Sequence, residues 1–453
     1  MWRYSLGVNV SKKNEIKLLF FENKCLSENF EGAPTISDFS SQYNSLKEAH
    51  RTLTNTNTDD ILDFFDEISK KIIERDGVFQ KKFSEDGINF LTYWFRKNFL
   101  KKALSESIRT DLSALDGYIQ LDKKNLITAT PKGIITHWLS GNVPILGLLS
   151  LIQGLATKNI NILKISKETG MLIPNFLHEI SKINVKKSNN RLIKGSDICK
   201  GIAVVYFDRD NTNAQEYFSK ISNIRVAWGG MDAVESVMNT KKQYGTEDVI
   251  FGPKKSFAVI DKTQIDSERN VDLLCQKLAY DIFQIDQRGC NSPHNVFIEK
   301  NSKLGSKFFA ERLSIAMKSL ASKSPQQYYS SLETLNILKK RTEYDMFYEA
   351  YYPESLEWTV LYADNSSIED ACFNRTIFVK TFKNIDDILN ECSHLTQSIG
   401  VAMEEKKLIK FARRAALRGV DRFPKIGTMT LYEVPWDGMY VMDRFVKWTK
   451  INN

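Results

Sequence analysis

The chain has 453 residues, more than one hydrophobic core ordinarily serves, so two or three domains are expected. Hydrophobic residues at 42% and charged residues at 26% are the values of a soluble globular protein and exclude a disordered or fibrous chain. The net charge of +8 is spread among Asn and Ser without a long basic run, so a nucleic-acid partner is not expected.

Met1-Trp2-Arg3-Tyr4-Ser5 has no apolar leader, so a signal peptide is not expected and the protein reads as cytoplasmic. Residues 1–58 read as short strands and loops ending in the polar tract Thr52 to Thr58. Asp59-Asp60 then opens a helix with Ile61, Phe64, Phe65, Ile68 and Ile72 on one face, closed by Gly77. A second helix is expected over residues 89–108, with Phe90, Trp94, Phe95 and Phe99 at helical spacing.

From about residue 131 short apolar strands alternate with helices. Strands are expected at Gly133 to Trp138, Asn161 to Ile165, Ile202 to Tyr206, Arg225 to Trp228 and Ser256 to Ile260. Pro144 through Ala156 reads as a helix with Pro in its first turn, too short and too interrupted by Gly147, Gln153 and Gly154 to span a bilayer. Met231 to Met238 is a further helix. The alternation is that of βαβ units on a mostly parallel sheet, which bind ligands at the carboxyl ends of their strands.

The second half continues with helices near 272–283 and 303–322 and strands near 295–299, 357–362 and 375–381. A strand at Gln397 to Met403 leads into a basic helix, Glu404 to Arg418. Thr428 to Val434 is expected to be a strand, followed by a docking segment around Trp436-Asp437-Gly438.

Five segments carry candidate chemistry. In Ser140-Gly141-Asn142-Val143-Pro144, the Asn142 amide can donate to an oxyanion or serve as a helix N-cap. Lys164 and Ser166 stand at a strand's carboxyl end, where they can bind a cofactor ribose or its 2′-phosphate. A snorkelling edge lysine is the alternative. Gly229 and Gly230 admit a pyrophosphate to a helix N-terminus, although no GxGxxG is present. Gly252-Pro253-Lys254 is a turn feeding a strand. Cys290, in Asp286-Gln287-Arg288-Gly289-Cys290-Asn291-Ser292-Pro293-His294, is flanked by small residues, where a thiolate has room to attack. His294 can donate a proton or serve structurally.

The other cysteines, at 25, 199, 275, 372 and 392, form no CxxC, so neither a metal site nor a disulfide framework is expected and the thiols read as reduced.

Taken in order, Asn-x-Pro, Lys-x-Ser, Gly-Gly, Gly-Pro-Lys and Gln-x-x-Cys resemble the aldehyde dehydrogenase superfamily. The wording of residues 137–147, 227–234, 251–254 and 286–294 is closer still to the LuxC-type acyl-CoA reductases, the long-chain acyl-protein thioester reductases of bacterial fatty-aldehyde synthesis. The resemblance implies an α/β, aldehyde dehydrogenase-like fold. Its expected divisions are an N-terminal region over 1–130, a Rossmann-type NADP-binding domain over 131–260, a catalytic domain over 261–425 and a C-terminal oligomerisation region over 426–453.

It also implies Cys290 as nucleophile, Asn142 as oxyanion donor, and Lys164, Ser166, Gly229, Gly230 and Gly252 around NADPH, with NADH as the other choice. The substrate implied is a fatty acyl-CoA or acyl-protein thioester. An acyl-protein synthetase, an acyltransferase and further copies of the chain are the partners implied. Oxidative aldehyde dehydrogenases carry a glutamate where this chain has Phe251, and the nearest upstream acid is Glu247. Without that base an acyl-enzyme is hydrolysed poorly, which favours reduction of an activated acyl group. The rival readings are aldehyde oxidation and a non-catalytic subunit with this fold. Tyr93, Trp94, Phe95, Tyr328 and Tyr329 can line an acyl tunnel or pack a core.

Overall fold

Short, almost fully apolar strands need cover on both faces, and five of them pair in parallel in the computed structural model, which describes residues 15–84, 87–141, 143–188, 190–324 and 330–452. From one edge they run Glu247–Phe251, Ile224–Trp228, Ile134–Trp138, Ile160–Lys164 and Ile202–Tyr206. Ile16–Phe21 then pairs antiparallel with Ile202–Tyr206 and carries the two short strands Lys24–Cys25 and Thr35–Ile36.

Chain order reverses at Ile134–Trp138. The next two parallel strands lie on one side of it and the last two on the other. The crevice at its carboxyl end, beside Ile224–Trp228, is therefore the switch point of a doubly wound sheet.

The chain forms two units, one of the described residues up to Gly252 together with those from Met439, the other Pro253–Gly438. The second unit has its own sheet, in the order Glu349–Tyr351, Thr359–Tyr362, Thr376–Phe382, Pro293–Glu299, Lys255–Ile260 and Thr396–Ala402. All its neighbours are parallel except the first pair. Helices Glu268–Phe283 and Ser306–Ala321 bury Leu278, Ile282, Phe309 and Leu313 in its core. Lys255–Ile260 reads in sequence as the last strand of the first sheet. Its hydrogen bonds go instead to Pro293–Glu299 and Thr396–Ala402, which starts the second unit at residue 253 rather than 261.

Three expectations change. Ser40–Asn55 is a helix, not strand and loop, burying only Leu46, Ala49 and Leu53 among polar neighbours. The helix expected over 89–108 is two helices, Asn89–Phe95 and Lys97–Ile108. Arg96 between them is extended (ψ 127°), and the Asp66 carboxylate of helix Thr58–Ile73 takes the Lys97 N–H at 2.9 Å.

Thr428 to Val434 is not a strand. Its backbone is used by side chains: Asp281 accepts from Met429 N at 3.1 Å, and Arg422 donates to the Leu431 carbonyl at 2.9 Å. The terminal strand is Val446–Asn452, antiparallel to Asn125–Pro131 in a three-stranded sheet with Ile119–Asp122. Trp94 and Phe95 are buried, Phe95 edge-on to Phe65 at 5.4 Å, whereas Tyr93 is exposed. Tyr328 and Tyr329 lie outside the described residues. Among the described residues no helix is long and apolar enough to cross a membrane.

Candidate active site

Cys290 ends a loop whose backbone is held in an uncommon shape. Ile285, Asp286 and Gln287 have φ of 46°, 49° and 65°, a left-handed run that non-glycine residues adopt only when their surroundings impose it. A second left-handed run, Phe373, Asn374 and Arg375, faces it. Polar side chains tie the two together. Arg375 donates to Asp286 at 2.7 Å. The buried Gln287 amide donates to the carbonyls of Pro293 (2.6 Å) and Thr376 (2.9 Å) and accepts from Thr376 N at 2.9 Å. Arg288 donates to Glu333 at 3.1 Å. A Cβ on Gly289 would stand 2.6 Å from Asn291 Oδ1, so the residue before the cysteine has no room for a side chain.

The loop delivers Cys290 to the amino edge of the second sheet. Ser256 Oγ donates to the Cys290 carbonyl at 2.7 Å and accepts from Ser398 N at 3.1 Å, joining two strands to the loop. Cys290 keeps part of its surface open, yet burial pushes its thiol up to about 12, and the Asp437 carboxylate adds to the rise. The Gln397 amide opposes this by donating to the sulfur, and the Lys254 cation helps. Gln397 Nε2 also donates to Asp437, and Lys254 is paired with Asp421. Burial raises the Asp437 carboxyl above its ordinary range, against Lys254. Ser292 Oγ, His294 Nδ1, Gln397 Oε1 and Ser398 Oγ, on the segments around the cysteine, are buried with no partner among the described residues. Buried polar atoms are nearly always bonded, so these four have capacity to bond water or a polar ligand.

His294 is the extra residue of a bulge, between Pro293 paired with Ser256 and Asn295 paired with Phe257. It packs edge-on to Phe373 at 5.2 Å, and burial lowers its pKa to about 4, so it is uncharged at neutral pH. That environment fits its structural reading.

The first unit holds the other candidates. Lys164 lies over the rings of Tyr206 (5.7 Å) and Phe207 (5.4 Å). Burial lowers its pKa, while Asp208 and Glu168 raise it. Ser166 Oγ meets Thr169 Oγ1 at 3.2 Å and bonds the Glu168 carboxylate. A Cβ on Gly141 would stand 2.5 Å from Ser166 Oγ and 3.0 Å from the Glu168 side chain, so two of the sequence segments meet here. Asn142 itself lies outside the described residues.

Gly230 caps helix Met231–Asn239 and faces open space where a side chain would begin, at the switch point of the sheet. That gap and helix start fit the phosphates of a dinucleotide. A Cβ on Gly252 would meet Val234 Cγ2 at 3.8 Å, an ordinary contact.

Phe251 is buried and stacked on Trp228, centroids 3.8 Å apart. Glu247, the nearest acid, is paired with both Lys132 and Arg444.

Sequence reasoning missed Gln397, Asp437 and Glu168, whose roles come from contacts between distant segments. It also missed His137. Its Nδ1 meets Ser150 Oγ at 2.8 Å and its Nε2 meets Asn161 Oδ1 at 3.0 Å, while Trp228 Nε1 donates to Ser150 at 3.1 Å. This network braces the two strands at the switch point. A fully polar residue inside an apolar strand was the available signal.

The profile of the family described as Acyl-CoA reductase (LuxC) matches residues 53–448. The chain belongs to the acyl-CoA reductase (LuxC) family. The long-chain acyl-protein thioester reductase of Vibrio harveyi is 25% identical over 328 residues, covering 71% of this chain and 64% of that protein. The reductase of the same name from Photorhabdus laumondii subsp. laumondii is 28% identical over 370 residues, covering 76% of this chain and 70% of its own. This LuxC-family chain thus spans about two thirds of the length of these relatives.

Among solved structures, a propionaldehyde dehydrogenase of Rhodopseudomonas palustris, with bound CoA and an acylated cysteine, matches at a TM-score of 0.60 and 13% identity, over 92% of this chain and 97% of that one. An NAD-dependent benzaldehyde dehydrogenase of Corynebacterium glutamicum matches at 0.60 and 15%, over 98% of each chain. These likenesses establish the aldehyde dehydrogenase-like fold.

Proposed function

We propose that this LuxC-family protein reduces a fatty acyl thioester, carried on CoA or on a protein, to the fatty aldehyde through an acyl group held on Cys290. The observation that carries the reading is the Cys290 loop itself: a cysteine on left-handed backbone held by side-chain bonds, among buried polar atoms with no partner among the described residues. The names of the relatives supply the substrate class.

Cys290 loses its proton, and its sulfur attacks the acyl carbonyl carbon. The new carbon–sulfur bond forms as the bond to the carrier sulfur breaks, and the carrier leaves as a thiolate that takes up a proton. The Gln397 amide steadies the sulfur while it is charged. Asn142 and the Cys290 N–H are the assigned oxyanion donors.

A reduced nicotinamide dinucleotide, when bound, supplies the hydride that converts the acyl group to the aldehyde. Gly229 and Gly230 would border its phosphates, and Lys164 with Ser166 would take the adenosine ribose. We assign NADPH on the Lys164 cation. Phe251 stands where a glutamate would activate water and Glu247 is engaged in ion pairs, so neither position offers a free carboxylate to hydrolyse the acyl group. The proposal extends to a cytoplasmic protein that assembles with copies of itself and works beside an acyl-protein synthetase and an acyltransferase.

Incubation with a long-chain acyl-CoA should add the acyl mass to the intact protein, and NADPH should then be consumed with release of aldehyde. Cys290→Ala should lose both. Acylation that persists in Cys290→Ala would sink the assignment. One observation favours aldehyde oxidation as a second reading: Asp437, a half-buried carboxylate whose charge acts on the thiol, could activate water. That reading wins if aldehyde and NADP give free acid and thioester with NADPH gives nothing.

A further inference from the structure

The second sheet also has a switch point. From Lys255–Ile260 the chain passes to Pro293–Glu299 on one side, and it returns only at the end to place Thr396–Ala402 on the other. Open parallel sheets bind ligands at the carboxyl end of that crevice. Cys290, however, precedes Pro293 and so serves the amino edge. The carboxyl edge, where Asp261 and Met403 follow their strands, has no part in the proposed reaction.

A cavity of about 550 Å³ lies there, within the range of small-molecule sites. Phe382, Ile385, Met403 and Phe411 form its apolar lining, continuous with a buried cluster around Phe257, Val259 and Ile399. Its rim comes from helix Glu405–Ala416, which places four cations along the cavity. Two of them are engaged. Lys407 lies 3.8 Å from Asp261 and 3.5 Å from Glu299, and Arg414 pairs with Asp386. Asp261 and Glu299 thus share the one Lys407 cation, and Asp261 also accepts from Thr263 N and Glu404 N at 2.8 Å each. Lys410 and Arg413 are left with no acidic partner among the described residues.

An apolar hollow with two free cations at its rim has the chemistry of an amphipathic anion. We propose that this cavity is a second ligand site, separate from Cys290, for a molecule with a medium-length aliphatic body and a carboxylate or phosphate head. The body lies on Phe382, Met403 and Phe411, and the head lies between Lys410 and Arg413. Neither an uncharged chain nor a bare anion satisfies both parts.

The test is calorimetric titration of the full chain with decanoate, decyl phosphate, decanol and acetate. One equivalent of decanoate or decyl phosphate should bind per chain, and the stronger of the two tells a carboxylic from a phosphorylated ligand. Lys410→Glu with Arg413→Glu should weaken binding roughly tenfold or more, the loss of charge-assisted bonds. Met403→Trp, which fills the hollow, should weaken it as much, and Cys290→Ala should leave it unchanged. Both charge reversals are at exposed positions, so they keep the test open if Met403→Trp does not fold. The proposal is overturned by absence of saturable binding, by decanol or acetate binding as tightly, by either pocket variant binding undiminished, or by loss in Cys290→Ala.

Discussion

At the scale of single residues, the reactivity of Cys290 is a balance between burial and two neighbours. Burial and Asp437 push its thiol up to about 12, and Gln397 pulls it down. The thiolate is the reacting form, so alkylation by iodoacetamide should quicken about tenfold per pH unit from neutrality upward. Asp437→Asn removes the opposing charge and should speed alkylation at pH 8 by roughly threefold to tenfold. Gln397→Leu removes the stabilising donor and should slow it by a similar factor. Equal rates in all three proteins would show that neither neighbour acts on the sulfur. On the cofactor side, Glu168 and Asp208 flank Lys164. A carboxylate beside a ribose favours a free 2′-hydroxyl over a phosphate. Glu168→Gln should therefore shift the ratio of kcat/KM toward NADPH over NADH by several fold, read from steady-state rates with each cofactor.

At the scale of elements, side-chain bonds tie the loop before Cys290 to the starts of strands Pro293–Glu299 and Thr376–Phe382 and to Arg375 in the turn before the latter. Gln287 makes three of these bonds within the core. Gln287→Ala would take the amide donor from two buried carbonyls, while the Thr376 N–H keeps its bond to the Phe373 carbonyl at 3.1 Å, at a cost of about 2 kcal/mol or more by urea unfolding. Gln287→Glu should serve little better, since it lacks the donors. Elements also show where local pattern yields to tertiary contact. The aromatic spacing over 89–108 is helical throughout, yet Asp66 captures the Lys97 N–H and breaks the helix. Ser40–Asn55 was illegible for the opposite reason: its three buried apolar residues make too thin a stripe to stand out from Ser, Asn and Thr. Thr428 to Val434 has the residues of a strand, but Asp281 and Arg422 take its backbone groups.

At the scale of the molecule, each unit buries a neutral histidine. Burial lowers both His137 and His294 to about 4, below the ordinary value of 6.5. The unfolded chain then binds more protons than the native one between these values, so this stability is present above pH 6.5 and is lost as pH falls toward 4. Asp281 acts with the opposite sign. Burial raises it from 3.8 to about 7, so its contribution is full at low pH and fades as pH rises through 7. Two histidines outweigh one carboxyl, and Tm should rise from pH 4.5 to 6.5. Asp281→Asn should steepen that rise. A flat profile in both proteins would contradict the burial of these groups.

What the sequence determined by itself was local and ordered along the chain: the alternation of strands and helices, the Cys290 and Gly229-Gly230 segments, and a series of motifs that resembled the LuxC family. Periodicity reports which face of a strand is buried, and small residues report where backbone must come close; both are properties of neighbouring residues. Only the tertiary structure decided partners. Lys255–Ile260 is equally apolar in either sheet, and its hydrogen bonds alone place it in the second. Gln397 and Asp437 reach Cys290 from residues more than a hundred positions away, and the carboxyl-edge cavity gathers four separate segments. Such sites depend on register and strand order, which are set by the summed packing of a whole sheet and leave no mark on any one stretch of sequence.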